Sequence, residues 1–151
     1  MVVSFFGHRD CPTCVKSFLK RLLEDLILNH QANLFYIGNQ GAFDRIVRQC
    51  LLDLKGKYCD IECVEVLAYF PQEKLVDTPF ETVYPEVLEN TPQRYAICKR
   101  NQWMLKQADI VVMYVTYSFG NSAQLKKLAE KSKKIVINLP DIKEIQSEKE
   151  L

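Results

Sequence analysis

The sequence predicts an α/β fold with a doubly wound, mainly parallel sheet of five strands and helices on both faces. Short apolar runs alternate with longer segments in which apolar residues recur three and four positions apart. These are the patterns of strands and of amphipathic helices. The runs 110–115 and 135–139 are apolar almost without interruption, as strands covered on both faces are. This combination is typical of Rossmann-like domains.

The five predicted strands are short hydrophobic segments. The first, 2–6, is broken only by Ser4, and the third, 61–68, alternates between apolar and polar residues before it becomes apolar. The remaining three are the apolar runs 34–37, 110–115 and 135–139. Runs this short, separated by helical periods, favour parallel βαβ units.

The predicted helices are 14–28, 42–54, 95–107 and a segment around 123–129. In the second of them the apolar side chains fall on one helical face, and the segment is expected to stop near Gly56. The members of that face are Phe43, Ile46, Val47, Cys50, Leu51 and Leu54. An apolar stripe of this kind packs on a sheet.

Residues 69–94 interrupt the alternation of predicted strands and helices, and they hold four of the six prolines in the chain. We expect a long irregular connection, of the kind that covers a site or forms a subunit contact. Its aromatic side chains would supply the contact surface; they are Tyr69, Phe70, Phe80 and Tyr84. Residues 1–140 are predicted to form a single domain, and the charged tail, 141–151, is expected to fray.

Composition narrows the functional classes. The chain has 151 residues, 48% of them hydrophobic, and a formal net charge of +1, so its overall charge gives no reason to expect a nucleic-acid partner. It has no apolar run near the ~20 residues of a membrane span. The N-terminus lacks the features of a secretory signal, so we expect a cytoplasmic protein whose six cysteines are mostly thiols.

Glycines mark the loops that follow three of the predicted strands. Gly7 follows the first strand, Gly38 and Gly41 follow the second, and Gly120 follows the fourth. Ligands of open parallel sheets bind beyond the carboxyl ends of the strands, where the strand order reverses. Glycine allows close backbone approach, and helix N-termini attract phosphate or carboxylate. These loops therefore predict an anion-binding cleft.

Four motifs carry a resemblance to a known family. They are Phe6-Gly7-His8-Arg9, Gly38-Asn39-Gln40-Gly41-Ala42-Phe43-Asp44, Arg100-Asn101-Gln102-Trp103-Met104 with Ala108-Asp109, and Gly120-Asn121-Ser122-Ala123. In this order, over roughly residues 2–139, they resemble the SLOG superfamily, and its small bacterial members most closely. That Rossmann-like group includes the YpsA-type proteins, the DNA-processing protein A domain and the LOG-type nucleoside-monophosphate phosphoribohydrolases.

The resemblance implies a nucleotide or nucleotide-derived small-molecule ligand, no further cofactor, and association into dimers or larger assemblies. The predicted ligand-binding residues are Gly7, His8, Arg9, Gly38, Gln40, Gly41, Asp44, Arg100, Asn101, Ser118, Gly120, Asn121 and Ser122. Arg9 suits a phosphate or a salt bridge. Asp44, the catalytic candidate, suits a ribose, a catalytic water or a helix cap, and the two serines suit a phosphate or a cap.

Two enzymatic alternatives remain open. In the first, a phosphoribohydrolase-type hydrolase, Asp44, Glu81 or Glu86 would assist water, although Gln124 stands where the LOG signature has an acid. In the second, Cys11 and Cys14 form a redox pair at a helix start, where thiol pKa values fall.

A zinc site at Cys11 and Cys14 would need further ligands such as Cys59 and Cys63. Those two lie at the opposite end of the sheet, so we predict no metal.

Overall fold

The computed structural model describes residues 1–70 and 79–142. Within them the strands are β1 (Val2–Gly7), β2 (Leu34–Ile37), β3 (Glu62–Val66), β4 (Glu81–Val83), β5 (Ile110–Tyr114) and β6 (Ile135–Asn138). The α-helices are α1 (Val15–Asn29), α2 (Gly41–Lys57), α3 (Ala96–Gln107) and α4 (Asn121–Lys131). The strands form one parallel sheet in the order β4-β3-β2-β1-β5-β6. The predicted Rossmann-like, doubly wound α/β fold is confirmed.

Each face of the sheet has its own hydrophobic layer. Alternate residues of β1 and β5, such as Phe5 and Val112, pack with α1 and α2. The residues between them, such as Phe6 and Met113, pack with α3 and α4. Because both faces are covered, β5 is buried along its whole length, which is why its sequence shows no alternation.

The sheet has six strands where the sequence predicted five. The additional strand, β4, lies at the edge beside β3, inside the segment predicted to be irregular. It has only three residues, of which none is buried, so it carries no apolar signal. The same segment forms two short 3₁₀ helices, Glu86–Asn90 and Gln93–Tyr95.

Two smaller expectations are also corrected. Phe80 is buried in the layer beneath α1 and α2, so it cannot belong to an exposed contact surface, whereas Phe70 is exposed. Helix α2 runs on to Lys57, and Gly56 lies in its last turn instead of ending it. Association through the 69–94 segment stays a prediction, and residues 143–151 of the predicted tail lie outside the described residues.

The strand order reverses between β1 and β5. From β1 the chain adds β2, β3 and β4 on one side, and it then returns to place β5 and β6 on the other. The loops after β1 and β5 diverge at this point and leave a crevice at the carboxyl ends of the strands. No helix in the described parts of the chain is long and apolar enough to cross a membrane.

Candidate functional site

A cleft of about 340 Å³ opens where the strand order reverses. All the predicted ligand-binding residues except Gly41 and Ser118 line it. Gly41 begins α2 and borders a smaller adjoining hollow with Arg45 and Arg48. Ser118 borders a separate hollow with Lys126 and Asp141, so the structure does not bring it into the cleft.

Arg100 forms the buried polar wall of the cleft, although only 2% of its surface is exposed. Its Nε donates to Asn101 Oδ1 at 3.0 Å, and its Nη1 donates to Asn39 Oδ1 at 3.1 Å and to the Val66 carbonyl at 3.4 Å. Within the described residues no hydrogen bond engages Nη2. The guanidinium is thus held rigidly on one side and keeps donors for a ligand.

Asp44 lies in the same wall and is 8% exposed. Its Oδ2 accepts a hydrogen bond from the Gln40 backbone N–H at 3.0 Å, which satisfies the N–H of the residue just before α2. Burial raises the pKa of Asp44 to about 6, against the opposing effects of that hydrogen bond and of the Arg100 charge. A carboxyl group with such a pKa can give or take a proton near neutral pH.

Gly38 allows Asp44 and Arg100 to lie side by side. A Cβ at this position would stand 2.7 Å from Asp44 Oδ2 and 3.2 Å from Arg100 Nη2. A side chain there would displace the two groups, so Gly38 leaves room in the cleft wall for a carboxylate beside a guanidinium. Such a pair offers an acceptor and a donor to a neutral hydroxyl group.

An ion pair lies behind this wall. Arg48 of α2 pairs with Glu65 of β3, and both charges act on Asp44. Glu65 is 5% exposed, and its carboxylate needs such a partner. Neither residue was predicted from the sequence, although Glu65 stands between two valines at the apolar end of β3, which was an available signal.

His8 joins the two loops that form the cleft. It is buried, and its Nε2 accepts a hydrogen bond from the Thr116 backbone N–H at 2.9 Å. Because a backbone N–H can only donate, Nε2 carries the lone pair and the ring is neutral with its proton on Nδ1. Burial lowers the pKa of His8, against the opposing charge of Asp10.

An aromatic stack extends from His8 along the cleft. The His8 ring lies 3.6 Å from the Tyr117 ring at an angle of 7°, and Tyr117 lies 4.7 Å from Phe119 at 26°. We call His8, Tyr117 and Phe119 the aromatic ladder. Tyr117 and Phe119 were not among the predicted site residues, although two aromatic residues in a glycine- and serine-containing loop were an available signal.

The N-terminus of α4 differs from that of α2. Neither helix has a side-chain cap. Helix α4 has no acidic residue in its first turn, whereas α2 has Asp44, which accepts the Gln40 N–H. The Ser122 hydroxyl donates to the Gly7 carbonyl at 3.1 Å, which ties α4 to the end of β1. The free N–H groups of α4 therefore suit an anion better than those of α2.

Apart from Asp44, the groups invoked for the alternative activities do not line the cleft. Cys11 is half-buried and Cys14 is exposed, and neither lines the cleft. Glu81 and Glu86 are exposed on β4 and on a 3₁₀ helix, and Gln124 borders a different small hollow. Across residues 1–70 and 79–142 no group of three or more His, Cys, Asp or Glu side chains could hold a metal ion.

Fold and site together define a Rossmann-like α/β protein with a polar cleft at the point where its strand order reverses. No family model matches the chain, and no curated protein matches it.

Proposed function

We propose that this protein binds a nucleotide or a nucleotide-derived ligand in the cleft between β1 and β5. The observation that carries the proposal is the placement of the buried Asp44 and Arg100 pair in one cleft with the uncapped N-terminus of α4. The pair suits the hydroxyl groups of a ribose, and the helix N-terminus suits a phosphate. The resemblance to the SLOG superfamily supports the same ligand class.

Arg9 suits the phosphate end of such a ligand. Arg9 is exposed at the cleft and forms no ion pair within the described residues. Arg100 is already engaged by Asn39, Asn101 and the Val66 carbonyl, so Arg9 is the guanidinium that is free to turn to a ligand. An arginine can hold a phosphate through two parallel hydrogen bonds.

Calorimetric titration with AMP tests the proposal. We expect wild-type protein to bind AMP and Arg9→Ala to bind it about tenfold more weakly, since hydrogen bonds to charged groups are worth about 1.5–3 kcal/mol. Arg21→Ala removes an exposed arginine of α1 that does not line the cleft, and it should bind as wild type does. Absence of AMP binding by wild-type protein, or equal binding by the two variants, would contradict the proposal.

A second candidate function is hydrolysis of the N-glycosidic bond of a nucleoside monophosphate. It is favoured by Asp44, whose raised pKa of about 6 and position in the cleft suit a general acid or base. We expect wild-type protein to release adenine from AMP. The variant Asp44→Asn should bind AMP but release no adenine. If Asp44→Asn releases adenine as fast as wild type, Asp44 is not the catalytic group.

A further inference from the structure

The aromatic ladder leaves large apolar surface open at the mouth of the cleft. Phe119 is 70% exposed and Tyr117 is 40% exposed, and both line the cleft. Phe119 directly precedes Gly120, from which α4 starts. An exposed aromatic pair beside a polar site is typical of a surface that a planar ligand covers.

The buried ring of His8 holds the inner end of the aromatic ladder in place. The buried His8 ring accepts the Thr116 N–H at 2.9 Å and lies almost parallel to Tyr117. Tyr117 is therefore fixed between His8 and Phe119, and the outer surface of Phe119 is left for a further ring. Rings that are already ordered lose little conformational entropy when a ligand stacks on them.

We infer that the cleft binds a purine nucleotide whose base stacks on Phe119 as the fourth layer of the aromatic ladder. The inference rests on the proposed function and specifies its ligand. Phenylalanine offers no hydrogen bond to a base edge, so recognition depends on the area of ring overlap. Purines have the larger rings, so AMP and GMP should bind similarly and CMP more weakly.

Titration with AMP, CMP and ribose 5-phosphate tests this inference, because the last ligand lacks a base. We expect wild-type protein to bind AMP about tenfold more tightly than ribose 5-phosphate, as one stacked base contributes. Phe119→Ala should reduce AMP binding to the level of ribose 5-phosphate, whose own affinity should not change. Phe119→Trp should keep the preference for AMP.

Phe70→Ala is a matched control, since Phe70 is 71% exposed and does not line the cleft; it should bind AMP as wild type does. If Phe119→Ala binds AMP as tightly as wild type, stacking on Phe119 is wrong and the proposed function stands. If CMP binds as tightly as AMP, the purine preference is wrong. If wild-type protein binds neither AMP nor ribose 5-phosphate, the proposed function fails as well.

Discussion

At the scale of single residues, buried charge is concentrated beneath the cleft. Asp44, Glu65 and Arg100 are each less than a tenth exposed, and Arg48 pairs with Glu65 from α2. Burying a charge is costly unless it is paired and hydrogen-bonded. The carboxylates and guanidinium groups are equal in number, so the cluster is neutral when Asp44 is ionised and positive when it is protonated.

Asp44 should make stability depend on pH. Its pKa is raised from 3.8 to about 6, so the folded state keeps a proton that the unfolded state releases. The free energy of unfolding should fall by up to about 3 kcal/mol as the pH rises from 3.8 to about 6. In Asp44→Asn this contribution is absent, while the amide oxygen still accepts the Gln40 N–H. Urea unfolding of wild-type protein and of Asp44→Asn, measured across this pH range, gives the difference in the free energy of unfolding. If the two free energies change with pH in parallel, the prediction is wrong.

His8 should have the opposite pH dependence. Its pKa is lowered below 6.5, so the unfolded state binds the proton more readily and stability falls as pH drops below that value. His8→Phe keeps a ring against Tyr117 but leaves the Thr116 N–H without its acceptor, which should cost about 1–3 kcal/mol above neutral pH. The difference in the free energy of unfolding between wild type and His8→Phe should become smaller at acidic pH. His30→Gln, at the exposed second histidine, is the control, and a gap that is constant with pH would contradict the prediction.

At the scale of secondary-structure elements, helix packing explains a loop glycine that the sequence analysis assigned to ligand approach. A Cβ on Gly7 would lie 2.4 Å from the Phe43 ring, and Phe43 is fully buried in α2. Gly7 is therefore needed where α2 crosses the end of β1. The glycines still indicated the right end of the sheet, because close packing of helix and strand and close approach of a ligand occur at the same loops.

Two alanine substitutions should shift stability in opposite directions. Gly7→Ala forces a methyl group against the fully buried Phe43 ring, and we expect a loss of about 1–3 kcal/mol. Gly56→Ala lies in α2 with open space around it, and we expect a gain of up to about 1 kcal/mol. Thermal unfolding of both variants measures the two shifts. A neutral Gly7→Ala would show that α2 can move away from β1.

The sequence predicted long elements well and short ones poorly. Helix α2 and strand β5 were predictable because many apolar side chains share one periodicity over their length. Strand β4 was not, since three residues at a sheet edge with no buried member carry no periodicity. What places β4 is backbone pairing with β3, a tertiary effect that composition does not record.

At the scale of the whole molecule, topology determines which distant residues meet in the cleft. The reversal between β1 and β5 brings the loops after both strands together, so the location of the cleft could be predicted from the alternation of strands and helices alone. The pairing of Asp44 with Arg100 could not, because it depends on how α2 and α3 pack from opposite faces. The motifs named both residues, but only the fold shows that Gly38 lets them approach.

Ligand binding should stabilise the whole fold, because the cleft is formed by loops that exist together only in the folded state. AMP at a hundred times its Kd should add about 2.7 kcal/mol to the free energy of unfolding, and for a protein of this size the melting temperature should rise by about 5–10 °C. At the same AMP concentration the melting temperature of Arg9→Ala should rise less, and that of Arg21→Ala should rise as much as that of wild type. The measurement is thermal unfolding with and without AMP, with ribose 5-phosphate as the comparison without a base. An equal rise in Arg9→Ala and Arg21→Ala would show that Arg9 does not hold the nucleotide.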